Sequence, residues 1–190
     1  MVKRKLKRTL PGDAGTLPPD DDVESMLRVD HAGEYGAKRI YEGQLAVLGS
    51  DPKIEKILRH MADQEAVHLA FFDKEIVKRK MRPTALHPLW HVAGYALGAL
   101  TARMGTEAAM ACTVAVEEVI AEHYQSQLDA LAKNKKEKKL RAAIKKFKAE
   151  EEEHHDTGLA WNAENAPAYR LLTEAIKKGS RLAIAVAKRI

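Results

Sequence analysis

Four long stretches of this chain repeat apolar residues every three or four positions, the pattern of helices that bury one face. The first covers 23–49, with a stripe of Leu27, His31, Glu34, Ala37, Tyr41, Leu45 and Leu48. Ser50-Asp51-Pro52 then offers a cap and a proline at a first helical position. The second covers 53–80, with Ile54, Leu58, Met61, Glu65, His68 and Phe72, and Arg82-Pro83 ends it. The third covers 105–132, with Met110, Val114, Glu117, Ala121, Tyr124, Leu128 and Leu131. A lysine-rich turn at 133–139 leads to the fourth, 140–162, with Leu140, Ile144, Phe147, Glu151, His154, Gly158 and Trp161. Pro167 opens a last helix that ends at 181–190. The predicted fold is all-α, with residues 23–190 as one domain and the Pro/Gly/Asp-rich residues 1–22 as a disordered lead-in.

One segment departs from the pattern. Residues 84–102 contain no Asp, Glu, Lys or Arg. Pro88, His87 and His91 make a spanning helix unattractive, so an interfacial or buried segment is expected, placing Leu86, Leu89, Trp90 and Leu97 against apolar surroundings.

The stripes carry the chemistry. Each contains an acid where a core residue belongs, and a buried unpaired charge costs several kcal/mol. Glu34 is followed 31 residues later by Glu65-x-x-His68, and Glu117 is followed 34 residues later by Glu151-x-x-His154. Glu and His at i and i+3 project from one helix face. Glu34 lies 16 residues before Ser50 and Glu65 15 after it, while Glu117 and Glu151 each lie 17 residues from Asn134. Two antiparallel hairpins therefore set all six side chains in one layer, about 22–24 Å from the first turn at 1.5 Å per residue. Four carboxylates and two imidazoles suit a carboxylate-bridged pair of iron or manganese ions. Glu118 neighbours Glu117, and Glu152 with His155 repeats the i, i+3 spacing, but the apolar stripes select Glu117, Glu151 and His154.

Composition narrows the partners. The 190 residues hold 32 Lys and Arg against 27 Asp and Glu, a net charge of +5. Basic residues cluster at 3–8, 74–82, 133–148 and the C-terminus, which suits anionic lipid; no nucleic-acid motif accompanies them. Cys112 is the one cysteine, so no internal disulfide forms. The N-terminus is basic without an apolar stretch, unlike a secretory signal, and lacks the Arg/Ser-rich pattern of a mitochondrial presequence. No Gly-x-Gly-x-x-Gly loop is present. Among the remaining histidines, His31 could neighbour the site, and His60, His87, His91 and His123 read as surface or hydrogen-bonded groups.

Several runs resemble one family. They are Arg28-Val-Asp-His-Ala-Gly-Glu34-Tyr-Gly-Ala, Gln64-Glu65-Ala-Val-His68, Pro88-Leu-Trp90, Ala111-Cys-Thr-Val-Ala-Val-Glu117-Glu118 and Glu151-Glu-Glu-His154-His155-Asp. Together they resemble the demethoxyubiquinone hydroxylases, di-iron monooxygenases of ubiquinone biosynthesis, over about 26–190. The resemblance implies a ferritin-like four-helix bundle with extra apolar, membrane-associated helical segments. It implies two iron ions (Fe2+/Fe3+) with O2 as co-substrate. Glu34 and Glu117 match terminal ligands, Glu65 and Glu151 bridging carboxylates, and His68 and His154 imidazole ligands. Tyr124, two turns past Glu117, is a candidate relay, with a core tyrosine as the equal alternative.

The implied substrate is a polyprenylated methoxy-methyl-benzoquinone, entering through 84–102 and 182–187. The resemblance also implies a peripheral protein on the cytoplasmic face of a bacterial inner membrane or the matrix face of the mitochondrial one. NADH is a candidate reductant, with Arg181 and Arg189 placed to meet its phosphates or lipid head groups. Homo-oligomerisation and a lipid-binding partner protein of ubiquinone biosynthesis are candidate assemblies. Two rival readings are a ferritin-like iron oxidase or store and a helical scaffold with a structural metal; neither needs the uncharged 84–102 surface.

Overall fold

Asp51 begins the first turn that the sequence foresaw: its side chain accepts from the Lys53 amide at 2.9 Å, and Pro52 follows at the first helical position. This turn joins helix α1 (Asp20–Leu48) to α2 (Pro52–Lys78) as one hairpin. Asn134 plays the same part in the second, accepting from the Lys136 amide at 3.0 Å. There a short 3-10 turn, Lys135–Glu137, leads from α4 (Thr106–Leu131) into α5 (Lys138–Ala160). Helix α3 (His87–Arg103) lies between the hairpins in sequence, and α6 (Tyr169–Ala187) follows a 3-10 turn at Ala163–Asn165. The computed structural model describes residues 20–132 and 134–189, and no strand occurs among them. This all-helical architecture is consistent with the ferritin-like helical bundle expected.

The stripes are the buried faces. On α2, Ile54, Leu58, Met61, Glu65, His68, Phe72 and Ile76 are buried, and on α5, Leu140, Ile144, Phe147, Glu151, His154 and Gly158. Apolar side chains collect at two levels. Tyr41, Ile54, Leu58, Met61, Met110 and Val114 pack at one, and Leu27, Phe72, Tyr124, Leu131, Ile144 and Phe147 at the other. The polar stripe residues fall between these two apolar levels on every helix. Gly158 allows the second hairpin to close tightly, since a Cβ there would sit 2.7 Å from Val114 Cγ2 and 3.1 Å from the Met110 carbonyl oxygen. Across the hairpins, Arg79 at the end of α2 forks onto both oxygens of Glu137 at 2.9 and 2.7 Å.

Two expectations change, and a third takes a definite form. The lead-in of 1–22 lies outside the described residues for 1–19, but Asp20–Asp22 form the first turn of α1. The uncharged segment is a regular helix, α3, laid against α1 by glycines. A Cβ on Gly98 would lie 2.0 Å from the Ile40 carbonyl oxygen, and one on Gly43 2.2 Å from that of Tyr95. Backbones this close exclude side chains from the seam, so Trp90 and Leu97 turn inward beside it. The outward face is instead Leu89, Val92, Tyr95 and Leu100. Finally, Ala168 at φ 52 precedes α6, so the last helix starts after Pro167 rather than at it. No helix among the described residues is long and apolar enough to cross a membrane.

Candidate metal centre

All six sequence-selected side chains meet in the layer between the two apolar levels. Glu34, Glu65, His68, Glu117, Glu151 and His154 are each at most 1% exposed. They form two overlapping groups. One ligand atom from each of Glu34, Glu65, His68 and Glu151 lies within 4.8 Å of the others, and the same holds for Glu65, Glu117, Glu151 and His154. Glu65 and Glu151 belong to both groups, whereas each remaining Glu and His belongs to one. Each imidazole turns Nδ1 inward. That of His68 lies 3.2 Å from Glu34 and 3.0 Å from Glu151, and that of His154 3.3 Å from Glu65 and 3.1 Å from Glu151.

Several polar atoms of this layer are left over. Both oxygens of Glu65, both of Glu151, Glu117 Oε2 and His154 Nδ1 are buried with no hydrogen-bond partner among the described residues. Burial, reinforced by the neighbouring carboxylates, raises Glu65 and Glu117 well above the usual carboxylate range. Burial also raises Glu34, against the His68 hydrogen bond. For His68 burial works downward, yet Glu151 and Glu34 outweigh it and lift the imidazole to about 10. Burial opposes ionisation of Glu151 too, but the two imidazoles hold it at about 2. Orphaned carboxylate oxygens facing two imidazoles are a donor set that divalent first-row ions fit.

Outside this layer stands a set of partners, of which the sequence had singled out only Tyr124, as a candidate relay. Tyr41 donates to Glu117 at 2.6 Å, and Tyr124 donates to Glu34. Each tyrosine lies seven residues after the glutamate of its own helix and reaches the glutamate of the other. Burial, with Glu117 and Glu34 beside them respectively, raises both phenols well above 10, which keeps them donors. His68 Nε2 donates to Glu150 at 2.9 Å, and His154 Nε2 to Gln64 at 3.0 Å. Gln64 and Glu150 each immediately precede the glutamate of a Glu-x-x-His pair. A search at fixed offsets from the two copies would have found all four.

The competing register falls outside. Glu152 is ion-paired to Lys148 at 2.5 Å, Glu118 pairs with Lys177 at 2.6 Å, and His155 bonds Asp156 at 3.0 Å. Of the other histidines, His31 bonds Asp73 at 2.9 Å, His91 bonds Tyr35 at 2.6 Å, and His123 approaches buried Asp30 at 3.3 Å. Arg181 is engaged by Glu122 at 3.1 Å.

Beside the layer, α1, α3, α4 and α6 line a half-open apolar cavity of about 580 Å³. Its walls include Gly36, Ile40, Trp90, Val116, Ile176 and Ile184, while Gly33 and Val116 also line it next to Glu34 and Glu117 in the chain. The buried indole Nε1 of Trp90 has no hydrogen-bond partner among the described residues.

The family model described as ubiquinone biosynthesis protein COQ7 matches residues 21–187. The chain is 54% identical over 188 residues to the 3-demethoxyubiquinol 3-hydroxylase of Rhodospirillum rubrum, covering 99% of this chain and 86% of the relative. It is 52% identical over 170 residues to the human mitochondrial NADPH-dependent 3-demethoxyubiquinone 3-hydroxylase, covering 88% and 78%. Against the mitochondrial 5-demethoxyubiquinone hydroxylase of Saccharomyces cerevisiae it is 41% identical over 182 residues, covering 88% and 78%.

Proposed function

Since the chain belongs to the COQ7 family of ubiquinone biosynthesis proteins, we propose that it is a demethoxyubiquinone hydroxylase: a monooxygenase that places one oxygen atom on the ring of a polyprenylated quinone. The observation that carries this reading is the juxtaposition of a buried four-carboxylate, two-imidazole layer with an apolar cavity. A ferritin-like iron oxidase would need the first but not the second.

Residues 23–190 act as one di-iron domain. Glu65 and Glu151, members of both groups, would be shared by the two ions, with Glu34 and His68 holding one and Glu117 and His154 the other. A bound pair of irons supplies activation of O2 and transfer of one of its atoms. The protein does the rest. Tyr41 and Tyr124 fix the rotamers of Glu117 and Glu34, and Gln64 and Glu150 fix the imidazoles with Nδ1 inward. The cavity admits the ring by its tail and excludes water, and Trp90 offers its one unused donor to a ring oxygen. The exposed Leu89, Val92 and Leu100 of α3, with Leu171 and Leu182 of α6, rest on the membrane that holds so apolar a substrate. Electrons come from a nicotinamide nucleotide, as the name of the human relative states for NADPH.

Anaerobic loading with Fe(II), followed by exposure to 18O2 with a short-tailed demethoxyquinone and NADPH or NADH, tests the reading. Two irons per chain and one labelled oxygen in the hydroxylated quinone are expected. One metal per chain, or an unchanged quinone with either nucleotide, would overturn it.

A further inference from the structure

The centre is nearly two-fold symmetric in its residue types, and the partners behind its two imidazoles differ in charge. Glu34 corresponds to Glu117, Tyr41 to Tyr124, Glu65 to Glu151 and His68 to His154, each with like chemistry. Behind the imidazoles the match fails. His68 Nε2 donates to a carboxylate, Glu150, at 2.9 Å, whereas His154 Nε2 donates to the amide oxygen of Gln64 at 3.0 Å. We propose that Glu150 and Gln64 make the two metal positions unequal, so that the first divalent ion is captured at the Glu34–His68 end. This rests on the dinuclear reading above.

Two physical effects point the same way. A carboxylate accepting from one ring nitrogen increases the electron density that the other nitrogen can donate, and a neutral amide does so less. The carboxylate also places a negative charge behind one ion and none behind the other. Lys146 Nζ touches the second oxygen of Glu150 at 3.0 Å and damps this charge, but its side chain is 62% exposed and shares its own charge with solvent. The remaining contacts of the two imidazoles do not favour the opposite end. Each Nδ1 faces two carboxylates, and each terminal glutamate receives one phenol. Glu150 and Gln64 are positioning residues: they touch the imidazoles and not the reacting groups.

Two ions repel one another, so two binding steps alone do not tell the ends apart. The test is calorimetric titration of the metal-free, full-length protein with Co(II) under nitrogen, with helicity checked by circular dichroism. In an unequal centre, His68→Ala weakens the first step at least tenfold, while His154→Ala leaves the first step within twofold and removes the second. Glu150→Gln weakens the first step about 10- to 100-fold. Gln64→Glu tightens binding at the His154 end. The swap Gln64→Glu/Glu150→Gln restores the tight first step, now sensitive to His154→Ala and not His68→Ala. That reversal is beyond a merely structural role. Equal effects of His68→Ala and His154→Ala on the first step, or a swap that restores nothing, would overturn the inference while leaving a dinuclear site intact. Absence of Co(II) binding to the wild-type protein would overturn the dinuclear reading and this inference with it.

Discussion

Tyr41 on α1 gives its phenol hydrogen to Glu117 on α4, 2.6 Å away, in a space that neither residue shares with solvent. Tyr124 returns the bond from α4 to Glu34 on α1. Because the two bonds are equivalent, Tyr41→Phe and Tyr124→Phe should behave alike. Each removes a donor from a buried carboxylate, about 1.5–3 kcal/mol by chemical denaturation, and should weaken metal binding about tenfold. If Tyr124 served as a relay, Tyr124→Phe alone would lose turnover with binding intact, which single-turnover kinetics would reveal.

Glu151→Ala should strip both ions, because Glu151 lies in both ligand groups. Glu152→Ala should retain both, because Glu152 points outward and pairs with Lys148. Metal analysis of the two purified variants checks this; a depleted Glu152→Ala protein would mean that the register of α5 is wrong.

Without metal, stability should fall as pH rises. His68 has a folded value near 10, above its ordinary 6.5. Its contribution is thus complete below 6.5 and is lost as pH climbs through 10. Glu65 and Glu117 are also raised by burial and act in the same sense above 4.5. Glu151, held near 2, has the opposite sense, but its window closes below 4.5. Thermal melts of the metal-free protein should therefore shift downward from pH 6.5 to 10. Melts with Co(II) bound should resist this shift, because the ion replaces the proton.

Gly98→Ala should cost about 2 kcal/mol, since its methyl would meet the Ile40 carbonyl oxygen and push α3 off α1. Gly179→Ala on α6, where nothing lies within 4 Å of a new Cβ, is the control and should gain about 0.5–1 kcal/mol. Denaturant titrations distinguish the two.

Leu89, Val92 and Leu100 form the outward face of α3. Changing all three to Asp should abolish flotation with anionic liposomes while leaving helicity and metal content unchanged. Flotation equal to wild type would assign membrane attachment elsewhere.

Much of this layer could be read from the chain because its six acidic and imidazole side chains interrupt strong apolar stripes. Glu65 and His68 fall in step with Leu58, Met61 and Phe72, and a charge in such a position demands a partner. The turn lengths then placed the six at one level. What the stripes did not show depends on contacts between helices. Tyr41 reads as an ordinary core aromatic until Glu117 is seen beside it. Gln64 and Glu150 read as solvent-facing, being half-buried at the edge of each ligand helix. The inward turn of Trp90 follows from glycine-to-backbone approach, which hydrophobic periodicity does not encode. Residues 1–19, expected to be disordered, lie outside the described residues.

The sharing of Glu65 and Glu151 also governs when the centre can assemble. Neither hairpin contains a complete ligand group: Glu34, Glu65 and His68 await Glu151, and Glu117, Glu151 and His154 await Glu65. During synthesis the first hairpin leaves the ribosome with three of its four donors, while α5 is still being made. Were the layer to hold the two ions proposed, stable metallation would be a late event that reports the docking of the two hairpins, and an ion arriving early would meet an open, weak site from which it could still exchange.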